Sequence, residues 1–140
     1  MTATGYPTNH LSDGTLESSK PSYAQAALRE AEVRQAFCAT YGRQATVTGE
    51  GAPLDCVFTD GEQITAVAEI KARNNTLADF QRWGSGILSA SKIHHGMAAA
   101  RALRVPFIAV LGTSDDALLV WVIANANGKQ QFPMIPRTQE

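Results

Sequence analysis

Apolar and polar positions between residues 21 and 124 follow helix or strand periodicity, whereas both ends of the chain lack any period. Pro21 opens a pattern that Gly42 ends, which predicts a helix. The dipeptide Asp60-Gly61 separates two alternating runs and predicts a tight turn between strands. In chain order the pattern predicts a helix from Pro21 to about Tyr41, strands at 45–48, 54–60 and 63–73, a helical region at 77–103 interrupted near Gly84 and Gly86, and strands at 106–113 and 117–124.

This order of helix, strands, helix and strands predicts an α/β fold in which helices flank a central mixed β-sheet. The strands at 64–70 and 106–111 are apolar on both faces, as expected where both faces are covered. Residues 1–20 are rich in Thr, Ser, Gly and Asn and predict a flexible N-terminal arm. Residues 125–140, with Asn-Gly and two prolines, predict a C-terminal tail, so 21–124 form the single predicted domain.

The composition is ordinary for a globular protein, with 44% apolar and 18% charged residues. No apolar run of about 18 residues and no signal-peptide pattern occurs, so we expect a cytoplasmic protein without a membrane partner. Cys38 and Cys56 fit no metal-binding spacing and are expected to be reduced, partly buried thiols. The net charge of −1 disfavours a dedicated nucleic-acid binder, unless positive charge is concentrated on one face or a bound metal offsets the acids.

Two charged residues, Glu69 and Lys71, end an otherwise apolar strand. Strand side chains alternate between faces, so Glu69 and Lys71 point the same way and Ile70 points to the opposite face. Asp55 begins the preceding strand, and hairpin pairing is expected to bring it beside the end of the second strand. The sequence therefore predicts that two carboxylates and one amine meet at one end of the sheet.

Such a cluster favours a divalent cation, because two close carboxylates repel each other unless positive charge lies between them. Mg²⁺ prefers a few carboxylate or carbonyl oxygens and keeps several waters, and the Ile70 carbonyl is a candidate further ligand. Lys71 could orient a metal-activated water or stabilise charge on a phosphate. The alternative is a surface hairpin with an ordinary Glu–Lys pair, since isolated E-x-K triplets are common.

The letters PLD at 53–55 followed by EIK at 69–71 resemble the PD-(D/E)xK motif of restriction-endonuclease-like nucleases. The order of elements is similar to that superfamily over roughly residues 21–124. In strict examples the acid directly follows the proline, whereas here Leu54 intervenes. We take Asp55 as the equivalent, because no other acid before the second strand follows the proline closely.

The resemblance implies a restriction-endonuclease-like fold and a metal-dependent endonuclease that hydrolyses phosphodiester bonds, with DNA the expected substrate. It implies Mg²⁺, or Mn²⁺, held by Asp55, Glu69 and the Ile70 carbonyl, with Lys71 catalytic. Small members include junction resolvases and virus-encoded nucleases, which implies branched DNA as a substrate, a homodimer, and the host-cell cytoplasm if the chain is virus-encoded. The alternatives are a non-catalytic nucleic-acid-binding or structural module on the same fold, and an unrelated α/β protein with a coincidental triplet.

Many members of the superfamily also carry a catalytic Glu on the first helix, for which Glu30 and Glu32 are candidates. Glu32 lies on the opposite side of the helix, whereas Glu30 lies within a predicted apolar stripe. The stripe consists of Tyr23, Ala26, Val33, Phe37 and Tyr41. The string EAEV at 30–33 also resembles archaeal Holliday-junction resolvases, in which the first Glu is functional. Both arguments favour Glu30; its alternatives are a carboxylate that extends to solvent, or a pair with Arg34.

Three further residues are candidate nucleic-acid contacts. Arg73 follows the motif and could meet a backbone phosphate, or be a solvated strand end. Lys92 could reach the scissile phosphate, although a lysine that extends past the edge of the core is the favoured interpretation. Gln81 is similar to a glutamine of RecB-like nucleases, but Gly84 stands where their tyrosine would follow.

Overall fold

A computed structural model describes residues 21–49, 52, 54–84 and 88–132. Its elements are α1 (Pro21–Tyr41), β1 (Gln44–Val47), β2 (Cys56–Asp60), β3 (Gln63–Ala72), α2 (Leu77–Trp83), α3 (Ala90–Leu103), β4 (Phe107–Gly112) and β5 (Leu118–Ala124). The kind and order of the predicted elements are confirmed. The predicted arm at residues 1–20 lies outside the described residues, as does Pro53 of the motif.

The five strands form one mixed sheet in the order β1-β2-β3-β4-β5. Strands β3 and β4 run parallel, and the other neighbouring pairs are antiparallel. Helix α1 packs on one face of the sheet and α3 on the other. The predicted α/β fold with a central mixed sheet between helices is therefore confirmed, and it is consistent with the restriction-endonuclease-like architecture.

Two apolar layers, one on each face of the sheet, form the core. On the α1 side, Phe37 stacks on Phe58 with ring centroids 4.3 Å apart, and Ala68 and Ile70 of β3 pack there. On the α3 side, Val67 of β3 packs in the second layer. Because side chains alternate along β3, Glu69 points to the same face as Val67, towards α3. An apolar side chain would be expected at this position in the core.

Glycines explain where two of the helices end. Gly42 and Gly84 follow α1 and α2 with φ of +66°, a left-handed conformation that glycine adopts without steric cost.

Gly96 lets α3 approach the sheet, because a Cβ there would lie 2.3 Å from the Phe107 ring. In α1 the buried stripe is narrower than predicted, since Ala26 and Tyr41 are exposed. No described helix is long and apolar enough to cross a membrane.

The chain turns back along β5 after its last strand residue. The N–H of Asn125 donates to the carbonyl of Lys129 at 3.0 Å, and the N–H of Gln131 donates to Ile123 at 2.8 Å. The first residues of the predicted 125–140 tail thus continue the hydrogen bonding of the fold, while 133–140 lie outside the described part. The boundary at residue 124 stays a prediction.

Candidate active site

The β2–β3 hairpin places the two motif acids side by side. Cys56 pairs with Ala68, and the N–H of Asp55 donates to the Ala68 carbonyl at 3.2 Å. Just beyond this last backbone bond, Asp55 Oδ2 accepts the N–H of Ile70 at 2.8 Å. The carboxylate of Asp55 is therefore fixed against β3, next to Glu69.

Glu69 is buried completely, with 0% of its surface exposed. Glu69 forms an ion pair with the ammonium of Lys92, whose Nζ lies 3.0 Å from Glu69 Oε1 and 3.7 Å from Asp55 Oδ1. Apart from this ion pair, neither Glu69 oxygen has a hydrogen-bond partner among the described residues. Both carboxylates therefore face one point on the α3 side of the sheet, as the hairpin spacing predicted.

This environment shifts the pKa values of the acid and of the lysine. Burial, reinforced by the charge of Asp55, raises the pKa of Glu69 to about 7, against the opposing effect of Lys92 and Lys71. Burial alone would lower the pKa of Lys92, but the pair with Glu69 and the charges of Asp55 and Glu30 raise it overall. Even beside Lys92 the Glu69 carboxyl therefore titrates near neutral pH, and further positive charge close to it would favour its ionised form.

The donor set fits a divalent cation bound through few protein ligands. A completely buried carboxylate without a hydrogen-bond donor is rare unless positive charge is supplied to it. Two carboxylates with waters are ligands that Mg²⁺ accepts. Across residues 21–49, 52, 54–84 and 88–132, no three His, Cys, Asp or Glu side chains cluster closely enough to hold a metal. The Ile70 carbonyl therefore stays the predicted further ligand.

Comparison with known proteins identifies the family. A family model described as "phage putative PDDEXK endonuclease" matches residues 18–137. This chain belongs to that family. The match covers the hairpin acids and every described element, so the interpretation as an unrelated α/β protein with a coincidental triplet is wrong. No curated protein and no solved structure matches the chain.

Helix α1 brings a third acid of this PDDEXK protein near the site. Burial raises the pKa of the half-buried Glu30, which the charges of Lys71 and Arg73 oppose and that of Asp55 reinforces. Glu32 is exposed, as expected. Glu30 forms no ion pair with Arg34 in the described part of the chain, and it does not join a three-acid cluster there. Its catalytic role stays a prediction.

Lys92 lies on the expected face of α3, but its ammonium group contacts partners that were not predicted. The favoured interpretation, a lysine extending past the edge of the core, is wrong, because Lys92 points between the two acids and is 29% exposed. The apolar periodicity of the helix predicted the correct face for Lys92, but nothing in the neighbouring sequence indicated which residues it contacts. By contrast Lys71, the motif lysine, is half-buried and forms no ion pair with a described residue.

The remaining cationic and polar candidates of this family member lie after β3 and on α2. Arg73 is half-buried, and its backbone N–H donates to Gly112 at 2.9 Å. Gln81 is exposed on α2. Sequence reasoning missed Arg29, whose guanidinium donates to Asn74 Oδ1 at 2.6 Å and to the Arg73 carbonyl at 2.9 Å. Arg29 thereby ties α1 to the segment that directly follows the motif.

Proposed function

We propose that this PDDEXK protein is a Mg²⁺-dependent endonuclease that hydrolyses phosphodiester bonds in DNA. The observation that carries the proposal is the completely buried Glu69 beside Asp55, two carboxylates that share the ammonium group of Lys92 as their ion-pair partner among the described residues. Asp55, Glu69 and the Ile70 carbonyl would hold Mg²⁺, or Mn²⁺ in its place. The family described as an endonuclease family supports the same reaction.

A bound Mg²⁺ would supply a polarised phosphoryl oxygen and a water of lowered pKa. The protein's own groups would do the rest. Asp55 keeps its orientation through the Ile70 N–H, which leaves its other oxygen directed towards the site, beside Lys92. Lys71 would orient the attacking water and stabilise charge that develops on the phosphate. Glu30, on α1, would complete the shell of acids around the ion.

The substrate would be held mainly through its phosphates. Arg73, which directly follows β3, and Gln81, which is exposed on α2, are the proposed contacts to the DNA phosphates. A net charge of −1 gives little general attraction to a polyanion, so binding would depend on this local positive charge and on the metal. Selectivity for branched DNA, action as a homodimer and the host-cell cytoplasm as compartment are extensions of this proposal that rest on the resemblance.

Cleavage of supercoiled plasmid with Mg²⁺ tests the proposal, because a closed circle has no ends for an exonuclease. We expect Glu69→Gln and Lys71→Met each to reduce the rate by about 100-fold or more, as for groups that act only in the transition state. Glu62→Gln, in the exposed turn of the same hairpin, is the matched control and should cleave like the wild type. Cleavage that survives both site substitutions would eliminate the proposed centre.

The near-neutral charge also favours a second candidate, a non-catalytic nucleic-acid-binding module on the same fold. Such a module has no need of a metal. Calorimetric titration with Mn²⁺ separates the two candidates. An endonuclease should bind the ion, and Glu69→Gln should abolish that binding. A module should bind DNA but show no heat of Mn²⁺ binding that depends on Glu69.

A further inference from the structure

The first turn of α3 carries a charge that opposes its own helix. Ser89 caps the helix, and its hydroxyl accepts the N–H of Lys92 at 3.2 Å, which fixes Lys92 in the first turn. The first turn of a helix carries partial positive charge and disfavours lysine. No acidic residue lies in that turn to compensate. Lys92 therefore needs negative charge from outside its own helix.

That negative charge comes from the two motif acids. The Lys92 Nζ lies 3.0 Å from Glu69 Oε1 and 3.7 Å from Asp55 Oδ1, so it occupies the space between the carboxylates. A divalent ion that binds both acids needs oxygens at about 2.0–2.6 Å, which is the same space. An ammonium group and a divalent cation cannot share it, because their mutual repulsion is strong where water is scarce.

We propose that Lys92 is the resident counter-cation of the metal-free site, which competes with the divalent ion for Asp55 and Glu69 and is released when the ion binds. This inference rests on the proposed metal site. Two carboxylates are neutralised by one divalent ion, so a released Lys92 has no remaining anionic partner among them. A phosphate of the DNA supplies that partner. Metal binding would thus prepare Lys92 to bind the substrate.

Lys71 provides the matched comparison. Its charge also lowers the pKa of Glu69, so it acts on the site from nearby. In the described part of the chain, however, it forms no ion pair with either acid. Removing Lys71 removes a neighbouring positive charge, whereas removing Lys92 removes a neighbouring charge and also vacates the space between the carboxylates.

Calorimetric titration of Mn²⁺ and Mg²⁺ into the metal-free protein tests the proposal. Lys92→Met should bind Mn²⁺ about tenfold more tightly than the wild type or better, because the competing bound state is gone. Lys71→Met should show a distinctly smaller gain, and Lys129→Met, at an exposed position, should show none. If Lys92→Met does not fold, Lys92→Gln supplies the same comparison.

Two further readouts separate release of the lysine from a merely structural role. The ε-¹³C signal of Lys92, assigned by its loss in Lys92→Met, should shift when Mg²⁺ is added to the wild type. At saturating Mg²⁺, Lys92→Met should cleave DNA more slowly despite its tighter metal binding, since the phosphate loses a partner.

The outcomes distinguish this inference from the proposed function. If the wild type binds Mn²⁺ and Lys92→Met binds it no more tightly than Lys71→Met does, Lys92 is not a competitor and only this inference is overturned. If neither the wild type nor Lys92→Met binds a divalent ion, the metal site itself is refuted and both proposals are overturned.

Discussion

Replacing Glu69 by glutamine should change the difference in stability between the two metal-free proteins in favour of the variant as the pH rises through neutrality. Burial and the nearby Asp55 raise the pKa of this carboxyl from 4.5 to about 7, although Lys92 and Lys71 oppose the shift. In an unfolded chain the group would titrate near 4.5. Between these two values the folded protein keeps a proton that the unfolded chain has already released.

The sign and size of the effect follow from that difference. Stability contributed by Glu69 is fully present below pH 4.5, falls as the pH rises, and is lost above about 7. At about 1.4 kcal/mol per pKa unit, the loss amounts to about 3 kcal/mol. Solvent does not weaken this effect on the unfolding free energy, because none of the Glu69 surface is exposed. A glutamine does not titrate and should show no such decline.

Urea unfolding in EDTA from pH 4.5 to 8.5 measures the effect directly. The difference in unfolding free energy between Glu69→Gln and the wild type should grow by about 3 kcal/mol across this range in favour of the variant. Other titrating groups, including Glu30, are present in both proteins and largely cancel in the difference. At pH 8, Mg²⁺ should stabilise the wild type and leave Glu69→Gln unchanged. Parallel stability curves for the two proteins would refute the reasoning.

Two predictions concern the core. Gly96→Ala should lower the unfolding free energy by about 1–3 kcal/mol in urea denaturation, because its Cβ would lie 2.3 Å from the buried Phe107 ring. Gly49→Ala, with open space around it, is the control, and equal effects at both positions would contradict the packing. Burial raises the pKa of Cys56 to about 12, so a thiol reagent should modify the half-buried Cys38 first in the native protein and both thiols equally in urea. Native rates that are equal would show that Cys56 is accessible.

Much of the fold could be predicted because its signals are local. Gly42 ends α1, and Gly61, with φ of +64°, closes the turn between β2 and β3 where the Asp-Gly pair predicted one. The same hairpin brought Asp55 beside Glu69, since antiparallel pairing through a tight turn fixes which residues meet. Short-range chemistry therefore determined both the hairpin and the meeting of its acids.

Contacts that cross between distant segments could not be predicted. The hydrogen bonds of Arg29 to Arg73 and Asn74 join residues 44 and 45 positions apart, and no pattern within α1 marks Arg29 as their donor. Lys92 was assigned to the correct helix face, but its partners depend on how α3 is placed on the sheet. Likewise, the exposure of Tyr41 depends on how far α1 extends beyond its contacts with the sheet.

Two features of the site that are unfavourable for stability lie together, and their position supports a cation-dependent function. A lysine in the first turn of α3 and a completely buried Glu69 are each unfavourable alone, and they meet at a single point. A purely structural role would be served as well or better by two apolar side chains, since replacing a buried ion pair by a packed apolar pair is often neutral or stabilising. The second acid, Asp55, accepts the Ile70 N–H but also adds repulsion that raises the pKa of Glu69. An arrangement that is unfavourable for stability is expected where the protein has chemistry to perform.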